Sequence, residues 1–275
     1  MNHLLRGDLQ MLKTEMRNPK TTHIDKMDTL SQLRLMNEEN SNSVKAVEAA
    51  LESIASAIDE ISDAFKSGGR LFYIGAGTSG RLGVADAAEC PPTFGIGYDR
   101  VTGIIAGGEG SLKKASENAE DIGTAGVEEL KKYGLRSNDT LVGISAAGGA
   151  AYVVKAIEYA NEIGCVTVGV TSNEGSALFN VAKHPIFTDT GAEVITGSTR
   201  LKAGTAQKLV LNMISTILFV KCGYVYENMM VNLKPTNIKL KARMVGIVKD
   251  ILNCSESEAL KRLDENNWSI PAIIN

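Results

Sequence analysis

The stretch Arg70–Gly95, RLFYIGAGTSGRLGVADAAECPPTFG, combines a short apolar run, a glycine-rich loop and a helix. Leu71–Ile74 is rich in strand-forming residues, and Gly75–Gly80 then opens a helix with Arg81 and Leu82. Backbone amides at the start of such a helix can hold an anion. The stretch therefore predicts a strand, loop and helix unit with an anion-binding turn.

Strands and helices alternate from this unit to about residue 222. Apolar runs predict further strands at 101–106, 140–145, 165–171 and 184–187. Helices are predicted at 111–132, 148–163, 176–182 and 205–221. The alternation predicts an α/β fold, a three-layer αβα sandwich whose mostly parallel sheet is covered on both faces.

Helical segments flank this predicted domain, which covers residues 56–222. Residues 1–55 read as helical, with a break at Asn37–Asn40 and a new helix capped by Ser43 that ends at Gly68 and Gly69. Residues 223–275 form a second helical segment, whose last helix opens at Ser255.

Composition excludes several function classes. The 29 Lys and Arg residues against 32 Asp and Glu residues give a formal net charge of −3, so nothing favours nucleic acid or an anionic membrane as partner. The apolar segment 209–220 is too short to span a bilayer and reads as a buried helix. The N-terminal stretch lacks the apolar core of a signal peptide.

The 4 cysteines and 3 histidines are too scattered for a metal site or a disulfide framework. The cysteines read as buried thiols, and a reducing cytoplasm fits this pattern. We therefore expect a cytoplasmic protein whose chemistry rests on carboxylates.

In parallel sheets, ligands bind at the carboxyl ends of the strands, which here carry the loops 75–80, 106–110, 145–149 and 171–176. Gly75, Gly77 and Gly80 match GxGxxG, but the second strand ends without the acidic residue that a dinucleotide site needs. The hydroxyls of Thr78 and Ser79 suit a phosphate monoester better. A purely structural glycine turn is the remaining alternative.

Three further features stand out near these loops. The stretch 191–204 carries hydroxyls, two cations and a carboxylate, and it reads either as a second ligand-binding loop or as the ordinary polar start of a helix. Glu89 precedes Cys90-Pro91-Pro92, where the chain is expected to stop and turn. Glu117 and Glu120 are expected to share a helix face. From the residues alone, a solvated helix charge is a better interpretation of each acidic side chain than a catalytic group.

Four blocks resemble the N-acetylmuramic acid 6-phosphate etherases: GAGTSGRLGVADAAECPPTFG at 75–95, IAGGEGSLKKASENAED at 105–121, EVITGSTRLKAGTAQKLVLNM at 193–213 and TEMRNPKTTHIDKM at 14–27. These etherases are sugar isomerase (SIS) domain proteins related to the glucokinase regulatory proteins. The resemblance implies an SIS-type sandwich that cleaves the lactyl ether of N-acetylmuramic acid 6-phosphate, giving N-acetylglucosamine 6-phosphate and D-lactate without metal or organic cofactor.

The resemblance also implies site residues. It assigns Glu89 as the acid that protonates the departing ether oxygen and Glu120, rather than Glu117, as the base at C2. An acid held protonated near neutral pH needs burial, and the alanines and prolines around Glu89 fit that requirement. The expected substrate-binding residues are Gly77, Thr78, Ser79, Gly80, Ser145, Gly148, Ser198, Arg200 and Lys202.

Helix geometry constrains this assignment. An unbroken helix would place Glu89 roughly 15 Å from Ser79, farther than the substrate reaches from phosphate to C3. Either the helix breaks and the ECPP turn folds back, or Glu89 acts across the interface of a homodimer, with the active site near that interface. We favour the dimer.

One loop departs from the family pattern. Where the etherases usually carry a loop like ASGRTPYV, this chain has AAGGAAYV at 146–153, without the hydroxyl and cationic side chains. The loss favours a second hypothesis, a non-catalytic sugar-phosphate sensor, whereas the presence of both Glu89 and Glu120 favours the enzyme. An aldose-ketose isomerase is a third reading that fits the ECPP block poorly.

Overall fold

The computed structural model of the chain describes residues 12–114, 116 and 118–274. Predictions that involve residues 1–11 or Glu117 lie outside these residues. The central element is a sheet of five parallel strands in the order β2-β1-β3-β4-β5. The strands are β1 Leu71–Gly75, β2 Val101–Ile105, β3 Thr140–Ile144, β4 Val166–Thr171 and β5 His184–Phe187. The predicted parallel sheet is confirmed, and Pro185 lies on the edge strand, where a missing N–H is tolerated.

Helices cover both faces of the sheet. They are α1 Thr29–Ala49, α2 Leu51–Lys66, α3 Gly77–Phe94, α4 Gly123–Lys132, α5 Ala151–Ile163, α6 Ala177–Val181 and α7 Lys202–Lys221. Leu71 and Tyr73 pack with α2, α3 and α7, whereas Phe72 and Ile74 pack with α4, α5 and α6. Because successive strand residues point to opposite faces, the two apolar clusters form the two sides of the predicted three-layer αβα sandwich.

Helix α7 fills one side of the sandwich. It is the one helix in the described part of the chain that is long and apolar enough to cross a membrane. Ile214 and Leu218 are fully buried, and the helix packs against α1, α2 and α3. Each such side chain contributes about 1.5–3 kcal/mol through burial. The predicted buried helix is confirmed, and it starts earlier than expected, at Lys202.

The N-terminal helices differ from expectation in one respect. The break predicted at Asn37–Asn40 is wrong, because α1 continues to Ala49 and the chain bends at Ala50. Ser43 is therefore not a cap; it lies inside α1 and its Oγ donates a hydrogen bond to the carbonyl of Lys202. Local rules predict that Ser43 caps a helix, but its side chain instead contacts the start of a helix that is distant in the sequence.

The segment after β2 also differs. The single helix predicted at 111–132 is wrong: two 3₁₀ turns, Glu109–Leu112 and Ala119–Asp121, precede α4. Asn118 adopts a left-handed conformation with φ 64°, which an α-helix cannot accommodate. Glu120 therefore lies on a short 3₁₀ turn rather than on the face of an α-helix.

The C-terminal segment has its own small core. A hairpin of β6 Val225–Tyr226 and β7 Met229–Met230, which the sequence did not predict, precedes α8 Ile238–Leu252, α9 Glu256–Glu265 and α10 Ile270–Ile274. Ser255 accepts a hydrogen bond from the N–H of Glu258, which confirms the predicted cap of α9. The prediction that this helix is the last is wrong, because α10 follows it. A separate apolar cluster holds these elements together. The boundaries at residues 55 and 222 stay predictions.

Two of the cysteines are deeply buried. Burial raises the pKa of the Cys90 thiol to about 12 and that of Cys165 to about 11. Both are therefore protonated and unreactive near neutral pH, as expected of structural thiols. Cys222 and Cys254 are half-buried.

Candidate active site

Three strands end at the same level of the sheet. Gly75 at the end of β1 pairs with Ile105 of β2 on one side and with Ile144 of β3 on the other. The strand order reverses between β1 and β3, which is the position where ligands bind in open α/β sheets. The loops that leave these strands are therefore neighbours at the switch point.

The glycine loop packs tightly on one side and is open on the other. A Cβ on Gly80 would lie 2.6 Å from the carbonyl oxygen of Gly75, so only glycine fits there. Gly77 has φ 54° and open space around it. Ser79 is buried and donates a hydrogen bond to Oε1 of Gln207 at 2.9 Å. The accessible predicted ligands of this loop are thus Gly77 and the half-buried Thr78.

Glu120 shares a small cavity with the start of α3. The cavity has a volume of about 130 Å³ and is lined by Gly77, Arg81, Ser111, Ser116 and Glu120, with three alanines. The structure therefore brings the predicted base to the predicted anion-binding loop. Glu120 is exposed at the mouth of this cavity.

Glu89 lies elsewhere on α3. The predicted stop at the ECPP motif is wrong, because α3 runs unbroken through Pro91 and Pro92 to Phe94, where Gly95 adopts a left-handed conformation. Each proline removes the hydrogen bond of its own missing N–H, and both lie in the last turn, so the two lost bonds are at the end of the helix. An unbroken helix separates Glu89 from Ser79 by roughly 15 Å. The alternative in which the turn folds back is therefore wrong.

The environment of Glu89 also differs from expectation. The resemblance implies a buried carboxylate at Glu89, but Glu89 is exposed in the single chain. It lines a second cavity of about 240 Å³ with Leu82, Asp86, Lys208 and Asn212. The two predicted catalytic carboxylates thus lie in separate cavities of one chain.

The second predicted loop adjoins the glycine loop. A Cβ on Gly204 would lie 3.5 Å from Cγ2 of Thr78, so the start of α7 touches the start of α3. Ser198 is half-buried and Arg200 is exposed on this loop. Lys202 is only 1% exposed, and its Nζ lies 2.6 Å from Oε2 of Glu39. A ligand contact by Lys202 stays a prediction; in this structure its ammonium binds Glu39.

The loop after β3 offers backbone rather than side chains. Gly148 has φ 75°, and a Cβ there would lie 2.5 Å from Cβ of Ser176. Oγ of Ser145 accepts a hydrogen bond from the N–H of Gly148 at 3.1 Å. Any anion at this strand end would therefore meet amides and one hydroxyl, without a cation from the loop itself.

Comparison with known proteins identifies the family. A curated relative from Halalkalibacterium halodurans, named N-acetylmuramic acid 6-phosphate etherase, is 51% identical over 94% of this chain and 86% of its own length. One of the same name from Pasteurella multocida is 48% identical over 94% of this chain and 86% of its own length. The chain belongs to the N-acetylmuramic acid 6-phosphate etherase family.

Similarities to a family model and to solved structures bear on the fold of the chain. The family model of the glucokinase regulatory protein N-terminal SIS domain matches residues 53–161. A phosphoheptose isomerase from Francisella tularensis has a TM-score of 0.54 at 18% identity, covering 70% of this chain and 100% of its own. Another phosphoheptose isomerase, from Neisseria gonorrhoeae, has a TM-score of 0.52 at 16% identity, covering 70% of this chain and 98% of its own. At such identities these matches confirm the predicted SIS-type fold and nothing finer.

Sequence reasoning missed Asp86, which underlies the Glu89 cavity. Asp86 is 8% exposed. Its carboxylate accepts hydrogen bonds from the Tyr73 hydroxyl at 2.9 Å, Nδ2 of Asn212 at 2.7 Å and Oγ of Ser215 at 3.2 Å. Burial raises the pKa of the Asp86 carboxyl, although these hydrogen bonds oppose the rise. The only local signal was an aspartate one helical turn before Glu89, in a run of alanines.

Asp86 predicts a pH dependence of stability. Because its pKa in the folded chain is raised above the ordinary 3.8, the folded state keeps this proton longer than the unfolded state. The contribution of Asp86 is therefore fully present below about pH 3.8 and falls as the pH rises through the raised pKa. We expect the free energy of urea unfolding of the wild type to decline over this range relative to Asp86→Asn.

Asp63→Asn, at an exposed position, is the matched control. The free energy of unfolding of the wild type relative to Asp63→Asn should not show the decline expected relative to Asp86→Asn. A wild-type chain that gains stability relative to Asp86→Asn as the pH rises would contradict the assignment.

Sequence reasoning also missed the groups that fix the 191–204 loop. Glu193 is fully buried and accepts hydrogen bonds from the N–H groups of Lys202 and Ala203 at 3.0 and 2.9 Å, which satisfies two free amides at the start of α7. Burial raises the pKa of Glu193, although both amides oppose the rise. In the family motif near the N-terminus, Thr21 Oγ1 donates to the carbonyl of Val194 at 2.9 Å. The motif thus supports the loop.

Proposed function

We propose that this chain cleaves the D-lactyl ether of N-acetylmuramic acid 6-phosphate and releases N-acetylglucosamine 6-phosphate and D-lactate, as part of amino sugar recycling from peptidoglycan. The observation that carries the proposal is an identity of about half, over 94% of the chain, with proteins named for this activity. The match to the regulatory protein's domain covers only residues 53–161, so the sensor hypothesis has no comparable support.

The substrate phosphate is proposed to bind where the start of α3 meets the start of α7. Gly77 leaves open space at the start of α3, and Thr78 lies against the 191–204 loop that carries Ser198 and Arg200. Helix α3 is long enough for its start to attract a phosphate through the free N–H groups and the helix dipole. Ser145 and Gly148 are proposed to extend the site across the switch point through the Ser145 hydroxyl, because the Gly148 N–H already donates to that Oγ.

The chemistry requires one base and one acid. Once the sugar ring opens, the aldehyde at C1 makes the C2 proton acidic, and Glu120 takes that proton. The electron pair forms the C2–C3 double bond, the C3–O bond breaks, and Glu89 gives its proton to the departing lactate oxygen. Water then adds at C3, losing a proton to Glu89, while Glu120 returns a proton to C2. Each positioned group is expected to contribute about 10²–10⁴-fold.

We propose that the two carboxylates meet across a homodimer. The support is that α3 is unbroken, so Glu89 and the glycine loop of one chain lie roughly 15 Å apart. Glu89 is exposed beside half-buried Leu82, on a surface that a second copy could cover. In a two-fold dimer the same surface of each chain serves the other, so both sites are completed together. We place this dimer in the reducing cytoplasm.

The proposed activity is tested by incubating the purified protein with N-acetylmuramic acid 6-phosphate and assaying D-lactate. We expect lactate and N-acetylglucosamine 6-phosphate in equal amounts. Binding of the substrate without lactate release would reject the enzyme and support the sensor. Glu89→Gln and Glu120→Gln serve as inactive controls.

Mixing these two inactive variants tests the shared site. In a mixed dimer, one site keeps Glu120 of its own chain and receives Glu89 from the other, whereas the second site has neither. Random exchange of subunits should therefore restore about a quarter of the wild-type activity per site. If both carboxylates act within one chain, the mixture stays as inactive as its components.

A further inference from the structure

We propose that the cavity beside Glu120 is the subsite for the lactyl carboxylate, held by Arg81 and Ser111. The inference rests on the proposed function, because it names which part of that substrate occupies this cavity. Its starting observation is that the cavity of about 130 Å³ joins one cation, two hydroxyls and the start of α3 to the proposed base.

The volume of this cavity suits one substituent of the substrate rather than the whole sugar. Binding sites for complete small molecules usually measure about 300–1,000 Å³. A water occupies roughly 30 Å³ of liquid, so this cavity has room for about four waters. It therefore fits one short branch of the substrate, while the sugar backbone lies across its mouth.

Ser111 supplies an independent sign of a missing partner. Its side chain lines the cavity and is only 3% exposed, and its Oγ has no hydrogen-bond partner among the described residues. Ser116 lies beside Ser111, because a Cβ on Gly107 would lie 2.4 Å from Oγ of Ser111 and 2.6 Å from Oγ of Ser116. A buried hydroxyl without a partner costs free energy, which an acceptor oxygen in the cavity would recover.

The charged side chains that line the cavity indicate which substituent of the substrate it binds. Glu120 would repel an anion in this cavity unless a cation compensated for it, and Arg81 is the cation that lines the cavity. Nε of Arg81 donates to the carbonyl of Leu112 at 3.1 Å, which holds the side chain against the 3₁₀ turn that carries Ser111. A guanidinium fixed in this way suits a carboxylate, which it can bind through two parallel hydrogen bonds.

Position separates this branch from the phosphate. Residues four apart share a helix face, so Gly77 and Arg81 face the Glu120 cavity together. Thr78 points instead toward Gly204 of the 191–204 loop. The phosphate, beside Thr78 and the 191–204 loop, and the cavity branch, beside Arg81, thus lie on different sides of the start of α3, and Gly77 borders both. Since Glu120 takes the proton at C2, the branch beside it is one carried by C2 or C3, and the anionic one is the lactyl group on C3.

A pair of ligands tests the assignment. N-acetylglucosamine 6-phosphate keeps the phosphate and the N-acetyl group of the substrate but lacks the lactyl group. We compare the dissociation constants of both ligands by calorimetry in Glu120→Gln protein, where the substrate should not turn over. Adding Arg81→Gln should weaken N-acetylmuramic acid 6-phosphate about 10- to 100-fold, and Ser111→Ala roughly 3- to 10-fold, with N-acetylglucosamine 6-phosphate changed less than about 2-fold.

An equal loss for both ligands would overturn the proposal, because the cavity would then hold the phosphate or the N-acetyl group. Unchanged binding of both ligands would overturn it too. Arg262→Gln, on the exposed face of α9, is the matched arginine control. Ser111→Ala removes one atom, so it keeps the test valid should Arg81→Gln disturb the turn. The binding comparison needs no turnover, so it stands even if lactate release is never observed.

Discussion

Replacing Glu120 by glutamine is expected to lower kcat for lactate release by about two to four orders of magnitude, because the amide cannot take the C2 proton. Glutamine keeps the size of the side chain at the cavity mouth, so the affinity for N-acetylglucosamine 6-phosphate should stay within a few-fold. Steady-state assay of D-lactate measures the first quantity, and calorimetry measures the second.

Asp121→Asn is the matched control for this variant, because Asp121 is the adjacent carboxylate on the same 3₁₀ turn and is exposed. It removes the same charge from the same turn, so its kcat should stay near that of the wild type. A Glu120→Gln enzyme within about tenfold of wild-type kcat would remove Glu120 from the role of base.

Replacing Lys202 by methionine is expected to lower the free energy of unfolding by about 3 kcal/mol, the lower end of the loss for a broken buried ion pair. Lys202 and Glu39 are 1% and 3% exposed, their charged atoms lie 2.6 Å apart, and Asn18 donates a further hydrogen bond to Glu39 at 2.8 Å. The variant removes the one buried cation beside the Glu39 carboxylate and leaves it with Lys20 alone, whose exposed Nζ lies 3.3 Å from Oε1 of Glu39. This poorly compensated buried charge is the source of the loss. Urea unfolding at neutral pH measures it.

Lys221→Met supplies the matched control for Lys202→Met. Lys221 also pairs with a carboxylate at 2.6 Å, that of Asp59, but the two side chains are 37% and 66% exposed. An exposed pair contributes at most about 1 kcal/mol, so this variant should be nearly neutral. Equal losses for the two variants would show that burial does not determine the strength of the Lys202 pair.

The same buried pair predicts an acid-side loss of stability. Although burial opposes ionisation, the hydrogen bonds from Lys202 and Asn18 hold the pKa of Glu39 below its ordinary value of 4.5. The stabilisation is therefore present above about pH 4.5 and is lost as the pH falls through the lowered pKa. This direction is opposite to that expected for Asp86.

Local patterns predicted the parts of the fold that depend on local physics. The apolar run at Leu71–Ile74 and the glycines that follow it indicated the first strand and the start of α3, because both signals lie within a few residues. Gly80 was predicted as part of a ligand loop, and the structure adds that it also fits against the end of β1.

The ECPP turn shows where a local rule fails. Proline usually ends a helix because it lacks an N–H and crowds the preceding turn. Here Pro91 and Pro92 lie in the last turn of α3, so the two missing N–H groups affect only the C-terminal end of the helix, which continues to Phe94. The outcome matters for function, since it keeps Glu89 far from the glycine loop of its own chain.

Pairings between distant residues were invisible in the sequence. Lys202 read as a ligand-binding cation, but its partner Glu39 is 163 positions away along the chain. Asp86 likewise receives its hydrogen bonds from β1 and from α7, at sequence distances that no periodicity encodes. Ser111 became a candidate only when its buried hydroxyl and the cavity could be seen together.

Reaction in heavy water tests the account most directly. Wild-type protein is incubated with N-acetylmuramic acid 6-phosphate in D₂O, and D-lactate and the deuterium at C2 of the sugar product are measured together. We predict one lactate per product molecule and deuterium at C2, because Glu120 removes the original proton and a solvent-derived one is returned. No lactate, or lactate with a product that keeps its original hydrogen at C2, would contradict the account.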